Sequence, residues 1–246
     1  MVPERGRRRQ WGQHFLIDAN IRKRIVEEGA LSREDIVVEI GVGEGLLTEL
    51  LLRRAGWVVG FEIDTALVDL VKEKFAGFSN FSFYPEDFLR IDLKTCLASF
   101  PFPRKKCVSN LPYSISTPVF LKLFGENIAW DLLLLMVQRE FGERVLAFPP
   151  QGKGGLLSLA AHLRFEVKKV LSVAPCAFRP NPQVESVVLK FSPRRDQIDF
   201  PSAQRIINLA RFLFSQKRKS LLALLEAKVG SRAEAMGVLE RAHVLP

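Results

Sequence analysis

Short, largely apolar segments alternate with segments of helical periodicity through the middle of the chain. The segments typical of buried strands are residues 36–40, 58–62, 81–84, 106–109 and 132–137. Helical patterns lie between or before them, at residues 18–29, 46–55 and 66–75 and in a short helix that begins at Thr117-Pro118. This alternation predicts a parallel sheet whose strands are joined by crossover helices.

The pattern changes after residue 164. Two strand-like segments, 165–173 and 184–191, are separated by a proline-containing stretch that is too short for a crossover helix, so we expect an antiparallel hairpin with a long loop. Five parallel strands followed by such a hairpin are typical of the α/β, Rossmann-like sheet of class I methyltransferases. Only helical patterns remain beyond residue 201, at 203–214 and 217–228. We therefore predict a domain of residues 1–193 and a small all-α domain of residues 194–246.

Charge is unevenly distributed along the 246 residues. The chain carries 36 Lys and Arg against 27 Asp and Glu, a formal net charge of +9. Residues 1–24 and 194–246 each carry +5, whereas the residues between them carry −1. Basic ends are typical of a protein that holds a polyanion such as nucleic acid, but basic tails that only aid solubility fit the composition equally well.

Glycines follow the first predicted strand, at Gly41, Gly43 and Gly45, and a helix begins directly after them. Glycines at this point let the backbone pass close to a ligand at the helix N-terminus, although their spacing is not that of the dinucleotide fingerprint. Glu62 ends the second strand, where a carboxylate can accept hydrogen bonds from both hydroxyls of a ribose. The alternative for Glu62 is a surface glutamate at the start of a loop.

Acidic and aromatic residues also follow the third strand. Asp87 can accept a hydrogen bond from an adenine amino group, and Phe88 can cover the face of the ring; a helix-capping Asp87 is the alternative. Because the carboxyl ends of parallel strands meet at one edge, the three strand ends together predict a site for an adenosine-containing cofactor.

The fourth strand ends in Asn110-Leu111-Pro112-Tyr113. The amide oxygen of Asn110 and the backbone carbonyl of Leu111 can accept both N–H bonds of an adenine amino group and free its lone pair for attack. Pro112 fixes the turn without adding a donor, and Tyr113 offers a flat surface for a base that has left its helix. In-line attack on a methyl group then needs positioning more than a side-chain nucleophile. The alternative is a plain Asn-Pro turn.

Five short motifs resemble, in order, those of the ribosomal RNA adenine N6-dimethyltransferase family, and of its small-subunit (16S) branch in particular. They are residues 12–16 (GQHFL), 39–45 (EIGVGEG), 110–118 (NLPYSISTP), 178–186 (FRPNPQVES) and 217–221 (KRKSL). The resemblance covers almost the whole chain. Ser109, Ser114 and Asn181 depart mildly from it, and the family has one more helix after the stretch that resembles residues 241–246, so the helical domain is expected to be short at its C-terminus.

The resemblance implies S-adenosylmethionine as cofactor, with S-adenosylhomocysteine as product. The cofactor-binding residues it implies are His14, Leu16, Gly41, Gly43, Glu62, Ile63, Asp87, Phe88 and Asn110. It also implies that Phe178 joins Tyr113 as the second face of a base clamp, although by sequence alone Phe178 would be a core aromatic. The implied substrate is a pair of adjacent adenines near the 3′ end of small-subunit RNA, each methylated twice, in the pre-30S particle.

An RNA substrate gives the basic residues at the two ends of the chain a predicted function, which is to contact the RNA. We expect Arg7, Arg8 and Arg9 and Lys217, Arg218 and Lys219 to contact RNA. Three alternatives remain: a large-subunit (23S) adenine methyltransferase that confers macrolide resistance, a non-catalytic RNA-binding assembly or transcription factor on the same fold, and a nicotinamide oxidoreductase. Leu111 and the basic run at 217–219 argue against the first, the intact residues 110–113 against the second, and the glycine spacing against the third.

Composition sets the remaining expectations. Apolar residues make up 48% and charged residues 26% of the chain, as in a globular protein, and no apolar run reaches the roughly 20 residues of a membrane helix. The basic N-terminus lacks the hydrophobic region of a secretory signal. Cys96, Cys107 and Cys176 show neither disulfide nor metal spacing, which favours a reducing cytoplasm and no bound metal. A monomer is the default expectation.

Overall fold

The computed structural model describes residues 13–147, 154–196, 198–216 and 219–244. Its contacts group the chain into two compact units, Met1–Gln197 and Ile198–Pro246. The boundary predicted from sequence, between residues 193 and 194, lies near this division. Each unit is described by itself below. Within the described ranges, no helix is both long and apolar enough to cross a membrane.

The first unit contains nine strands and seven helices among its described residues. The strands are β1 (Phe15–Leu16), β2 (Asp35–Ile40), β3 (Trp57–Phe61), β4 (Phe81–Tyr84), β5 (Arg104–Asn110), β6 (Leu132–Gln138), β7 (Phe165–Val173), β8 (Phe178–Arg179) and β9 (Ser186–Pro193). The helices are α1 (Ala19–Glu28), α2 (Thr48–Arg54), α3 (Thr65–Phe75), α4 (Leu93–Ala98), α5 (Ser116–Gly125), α6 (Arg139–Leu146) and α7 (Leu156–His162).

Seven of these strands form one sheet in the order β4-β3-β2-β5-β6-β9-β7. Strands β2 to β6 are parallel, and β9 is antiparallel to both β6 and β7. This is the predicted α/β sheet of class I methyltransferases, with its terminal antiparallel hairpin. The strand order reverses between β2 and β5, and in open α/β sheets ligands bind at the carboxyl edge of such a reversal.

Central strands β2 and β6 are almost entirely buried because helices cover both faces of the sheet. A buried ion pair lies at the amino end of β2. Lys106 Nζ is 3.0 Å from Asp35 Oδ2 and also donates to the carbonyls of Gly29 and Ala30. Asp35 in turn accepts from the backbone N–H of Ser32 at 2.6 Å. The pair connects β2, β5 and the end of α1.

Ser109 lies where β2 and β5 separate. The backbone pairing of these strands ends at Val38 and Cys107, so Ile40 has no ladder partner on β5. The Ser109 hydroxyl replaces that partner: it donates to the Ile40 carbonyl at 2.6 Å and accepts from the Ile40 N–H at 3.2 Å. Ser109, one of the mild departures from the motifs, therefore satisfies the backbone where the sheet opens toward its carboxyl edge.

A second, two-stranded sheet was not predicted. Strand β1 pairs with β8, with Phe15 opposite Arg179 and Leu16 opposite Phe178. We call residues 13–16 the N-terminal strap. Helix α1 follows the strap directly, since Asp18 caps its N-terminus by accepting from the N–H groups of Asn20 and Ile21. Arg22 on α1 donates to the Leu16 carbonyl at 2.8 Å and fixes the end of the strap.

The second unit contains three described helices: α8 (Phe200–Ser215), α9 (Leu221–Val229) and α10 (Arg232–Arg241). Leu225, Ala235 and Leu239 form its small core between α9 and α10. The sequence prediction of a helix over 217–228 was wrong at its start. Ser220 accepts from the N–H of Ala223 and caps α9, so the helix begins at Leu221.

Candidate active site

A cavity opens at the carboxyl edge of the sheet, at the reversal between β2 and β5. The ends of four parallel strands and the N-terminal strap contribute to its wall. It is lined by every residue that the sequence assigned to the cofactor: His14, Leu16, Gly41, Gly43, Glu62, Ile63, Asp87, Phe88 and Asn110. The catalytic candidates Leu111, Pro112 and Tyr113 line the same cavity. The structure thus brings these residues together, while their individual roles remain predictions.

The glycine loop depends on backbone conformations that favour glycine. Gly41, Gly43 and Gly45 all have positive φ, at 78°, 59° and 72°. A Cβ on Gly43 would lie 3.0 Å from the ring of Phe15, so the strap packs directly against the loop. Lys74 on α3 donates to the Glu44 carbonyl at 3.0 Å and holds the loop from the other side.

Glu62 supports the glycine loop as well as lining the cavity. Its Oε2 accepts from the Gly43 N–H at 2.8 Å and its Oε1 from the Asp64 N–H at 2.9 Å. Burial raises the pKa of Glu62, and these two N–H groups act in the opposite direction. Each carboxylate oxygen has a second lone pair, so both can still accept from hydroxyl groups of a ligand.

Asp87 and Phe88 form the wall beyond β4. Asp87 caps a 3₁₀ turn by accepting from the Leu89 N–H at 3.0 Å, which is the alternative weighed from sequence, yet it also lines the cavity. Phe88 is buried and meets the ring of Phe61 edge-on. Lys122 on α5 lies over the Phe88 ring at 5.7 Å and fixes this wall from behind.

Three buried side-chain oxygens along this cavity have no hydrogen-bond partner of good geometry among the described residues. They are Gln13 Oε1, Glu39 Oε2 and Asn110 Oδ1. Gln13 belongs to the strap, where its Nε2 donates to Asp64 Oδ2 at 3.1 Å, and Glu39 lies on β2. Buried acceptors without a donor are costly unless a ligand supplies one. The cavity therefore suits a ligand rich in N–H and O–H groups.

Sequence reasoning assigned no role to Gln13 or Glu39. In the sequence, Gln13 is only a member of the motif at residues 12–16 and Glu39 only a member of the motif at residues 39–45. A buried carboxylate facing a cavity depends on which strand ends meet, and that becomes known only with the fold. The unpaired acceptor on each residue is the structural signal that adds it to the site.

Asn110 is held in one orientation. Its Nδ2 donates to the His14 carbonyl at 3.0 Å, which leaves Oδ1 as an acceptor at the cavity wall. Leu111 is fixed beside it because its N–H donates to the Met136 carbonyl at 3.0 Å. The predicted acceptor pair therefore occupies a rigid strand end, and the strap contributes to that rigidity.

Tyr113 follows in a 3₁₀ turn, and its ring stacks on His14 with centroids 5.3 Å apart. Phe178 does not accompany it. Its side chain is 1% exposed, belongs to the hydrophobic core and does not line the cavity, and its role as the second face of a base clamp stays a prediction. Pairing of β8 with the strap turns Phe178 inward. His14 is the ring that covers Tyr113 in this structure.

The predicted RNA-contacting residues fall mostly outside the described residues. Arg7, Arg8, Arg9, Lys217 and Arg218 belong to that group. Lys219 is described, and it is an exposed residue immediately before the cap of α9.

Glu39 predicts a pH dependence of stability. Burial raises the pKa of Glu39 to about 8, against an opposing effect of the adjacent Thr48 hydroxyl, and the Glu62 carboxylate adds to the increase. Between pH 4.5 and 8 the folded protein therefore holds a proton that the unfolded chain has lost, so stability falls as pH rises. We expect a loss of about 2 kcal/mol from this group between pH 5.5 and 7.

Urea unfolding of Glu39→Gln and of the wild type at several pH values tests this expectation. The difference between the two free energies of unfolding should change with pH, since glutamine does not titrate. Glu73→Gln, at an exposed glutamate on α3, is the matched control and should leave the slope as it is in the wild type. If the free energy of unfolding changes with pH in the same way in Glu39→Gln and in the wild type, Glu39 does not have the raised pKa assigned to it.

The fold and the cavity together define a class of protein: a Rossmann-like methyltransferase with a cavity at the switch point of its sheet. A model of the family described as ribosomal RNA adenine dimethylase matches residues 5–244. The chain belongs to this family, as its five motifs predicted.

Known relatives and solved structures agree with this membership. Ribosomal RNA small subunit methyltransferase A of Latilactobacillus sakei is 36% identical over 242 residues, which is 96% of this chain and 82% of the relative. The crystal structure of a dimethyladenosine transferase from Plasmodium falciparum is 30% identical, with a TM-score of 0.71 over 95% of this chain and 83% of that one. The 23S rRNA methyltransferase ErmE is 27% identical, with a TM-score of 0.67 over 94% and 91% of the two chains.

Proposed function

We propose that this protein transfers methyl groups from S-adenosylmethionine to the N6 amino groups of two adjacent adenines near the 3′ end of 16S ribosomal RNA, giving N6,N6-dimethyladenine. The observation that carries the proposal is the buried Oδ1 of Asn110, which lacks a donor within the described part of the chain and lies at the cavity wall beside Leu111 and Tyr113. Family membership supports the reaction class, and relatives named for the small subunit support the choice of RNA.

The residues of the cavity fit S-adenosylmethionine. Its α-ammonium and its adenine amino group are donors of the kind that Gln13 Oε1 lacks, and its ribose hydroxyls suit Glu62. A positive α-ammonium beside Glu39 would favour the ionised form of that carboxyl group, which burial alone disfavours. When bound, the cofactor supplies an electrophilic methyl group on a sulfonium. Phe88 and Asp87 would hold the adenine ring, and the positive-φ glycines leave room for the ligand at the loop.

The residues around the target amine would hold and orient it for attack on the methyl group. Asn110 Oδ1 and the Leu111 carbonyl accept the two N–H bonds, which holds the nitrogen and directs its lone pair toward the cofactor. Tyr113 stacks on the extruded base. Because both acceptors are fixed by backbone contacts of their own, they need little reorganisation as charge develops on the nitrogen. The protein contributes orientation and exclusion of water, with no side-chain nucleophile.

We propose that the substrate RNA is presented in the small-subunit precursor particle in the cytoplasm, and that the basic ends of the chain hold it. Arg7, Arg8 and Arg9 precede the strap, and Lys217, Arg218 and Lys219 precede α9. In the sequence, these two groups of basic residues flank residues 25–193, which are nearly neutral in charge. Contacts of this kind bind the phosphate backbone without reading bases.

Neutralising Arg7, Arg8 and Arg9 to glutamine should weaken RNA binding and reduce its salt dependence. Each lost phosphate contact removes about 0.7 to 0.9 from the slope of log affinity against log salt, so the slope should fall by about 2 to 3. Fluorescence anisotropy with a labelled 16S fragment at several salt concentrations measures it. Cofactor affinity should stay unchanged.

A matched variant neutralises three exposed basic residues elsewhere, Arg54, Lys72 and Lys94. It carries the same change in net charge, so it separates local contacts from the overall field of the protein. If both triple variants lose the same salt dependence, the N-terminal arginines make no specific contacts and their charge serves solubility.

Mapping of modified nucleotides tests the proposed function. Purified small and large subunits that lack these methyl groups are incubated separately with enzyme and cofactor, and modified positions are read by mass spectrometry. We expect N6,N6-dimethyladenine at two adjacent adenines of 16S RNA. Modification confined to 23S RNA would overturn the choice of substrate in favour of an activity like that of ErmE, and binding of RNA without methyl transfer would favour a non-catalytic assembly factor.

A further inference from the structure

The hydroxyl group of Tyr113 contacts a buried side chain that has no role in the reaction proposed above. Tyr113 Oη lies 2.5 Å from Ser186 Oγ. Ser186 is fully buried, and Tyr113 is only partly buried because its ring reaches into the cavity. The contact joins two segments that are far apart in the sequence, the end of β5 and the start of β9.

Ser186 has a rigid backbone. It is the first residue of β9 and is paired on both sides, with Gln138 of β6 and with Val173 of β7. Tyr113, in contrast, lies in a 3₁₀ turn beyond the end of β5, and its ring has two free torsions. A hydrogen bond at the hydroxyl fixes the direction of the ring axis. Rotation about the Cβ–Cγ bond leaves Oη in place and is limited instead by the His14 ring stacked on Tyr113.

The loop before Ser186 acts on the same ring. His14 stacks on Tyr113 at an interplanar angle of 29°, and His14 Nδ1 is 2.7 Å from the carbonyl oxygen of Pro180. Ser186 on β9 thus holds the Tyr113 ring axis through the hydroxyl. Pro180, in the loop between β8 and β9, holds His14 against the face of that ring. Base stacking is sensitive to the tilt of the aromatic surface, since the favourable offset geometry is narrow.

We propose that Ser186 is a positioning residue for the methyl transfer: its hydroxyl fixes the direction of the Tyr113 ring on which the target adenine stacks. This inference rests on the proposed function, since it assigns Ser186 to the same site. Ser186 does not touch the cofactor cavity itself and acts only through Tyr113.

A double-mutant cycle tests the proposal. Ser186→Ala and Tyr113→Phe each remove one partner of the hydrogen bond, and each should lower kcat for 16S RNA about tenfold. The double variant should also lose about tenfold, because both changes break one interaction. The Kd for S-adenosylmethionine should remain that of the wild type. A double variant that loses about a hundredfold, or a Ser186→Ala variant as active as the wild type, overturns the proposal.

Two further variants separate positioning from general stability. Ser186→Thr retains the hydroxyl and should recover most of the activity lost in Ser186→Ala. Ser192→Ala makes the same substitution on the same strand, at a residue that does not line the cavity, and it should leave kcat unchanged. Loss of activity in Ser192→Ala equal to that in Ser186→Ala would mean that β9 as a whole, and not the hydrogen bond, is responsible.

A spectroscopic measurement keeps the inference independent of activity. The chain has two tyrosines, Tyr84 and Tyr113, so ¹³C-labelled tyrosine gives two resolvable sets of ring signals. Ser186→Ala should shift the Tyr113 signals and leave those of Tyr84 in place. If the wild type proves unable to methylate RNA, the proposed function fails while this shift still reports the hydrogen bond; unshifted Tyr113 signals show that the bond is absent, whatever the activity.

Discussion

Replacing Asn110 by alanine is expected to lower methyl transfer to 16S RNA by about a hundredfold or more, with S-adenosylmethionine still bound. In the proposed mechanism Asn110 Oδ1 accepts from the target amine where charge develops, and loss of one preorganised group of this kind typically reduces kcat by about 10² to 10³. Cofactor binding draws on many more residues of the cavity. Transfer of a labelled methyl group gives kcat, and calorimetric titration gives the cofactor Kd.

Asn80→Ala is the matched control. Asn80 also donates through Nδ2 to a backbone carbonyl, that of Leu52 at 3.1 Å, but it does not line the cavity. It should lose some stability and keep its kcat. Near-normal turnover by Asn110→Ala would contradict the acceptor role, and a large loss of cofactor affinity would show that Asn110 chiefly anchors the strap through the His14 carbonyl.

Replacing Lys106 by methionine should destabilise the first unit by about 3 to 5 kcal/mol. The change leaves the Asp35 carboxylate buried without its counter-charge, and breaking a buried pair on one side has this cost. Urea unfolding should show a lower midpoint with an unchanged slope.

The exposed pair of Arg104 and Glu34 lies nearby with its atoms 2.7 Å apart and provides the comparison. Glu34→Gln should cost less than about 1 kcal/mol because solvent screens such pairs. Adding Asp35→Asn to Lys106→Met should restore part of the loss, since no unpaired charge remains. If the single and double variants unfold at the same urea concentration, the buried charge is not the cause.

Much of the fold could be predicted because each strand is a local pattern. The five parallel strands, the antiparallel hairpin and the helical C-terminal region follow from apolar runs, caps and prolines within a few residues of each other. The pairing of β1 with β8 could not be predicted. Two-residue strands have no periodicity, and their partners lie more than 160 residues apart in the sequence.

Some residues of the candidate site could likewise be predicted from the sequence, and others could not. Gly41, Glu62, Asp87 and Asn110 are strand-end residues, and parallel strands bring their carboxyl ends to one edge whatever the details of packing. The sequence did not indicate a role for Glu39 or Ser186. Glu39 is notable because a buried oxygen of its side chain lacks a partner in the fold, and Ser186 because its partner, Tyr113, is distant in the sequence. For Phe178, sequence chemistry alone favoured a core aromatic, and its side chain is buried in this structure. The base-clamp role that the family resemblance implies stays a prediction.

The N-terminal strap has a consequence for turnover on one RNA molecule. Each methyl group consumes one cofactor, so completing both adenines requires repeated release of product and entry of fresh cofactor past residues 13–16. The strap is held by its pairing with β8 and by side-chain hydrogen bonds, among them those from Gln13 to Asp64, from Asn110 to the His14 carbonyl and from Arg22 to the Leu16 carbonyl. An opening wide enough for exchange also lifts His14 from Tyr113. Exchange of the small molecule and stacking of the base on Tyr113 are thus coupled through His14, whereas a rigid pocket would keep them independent.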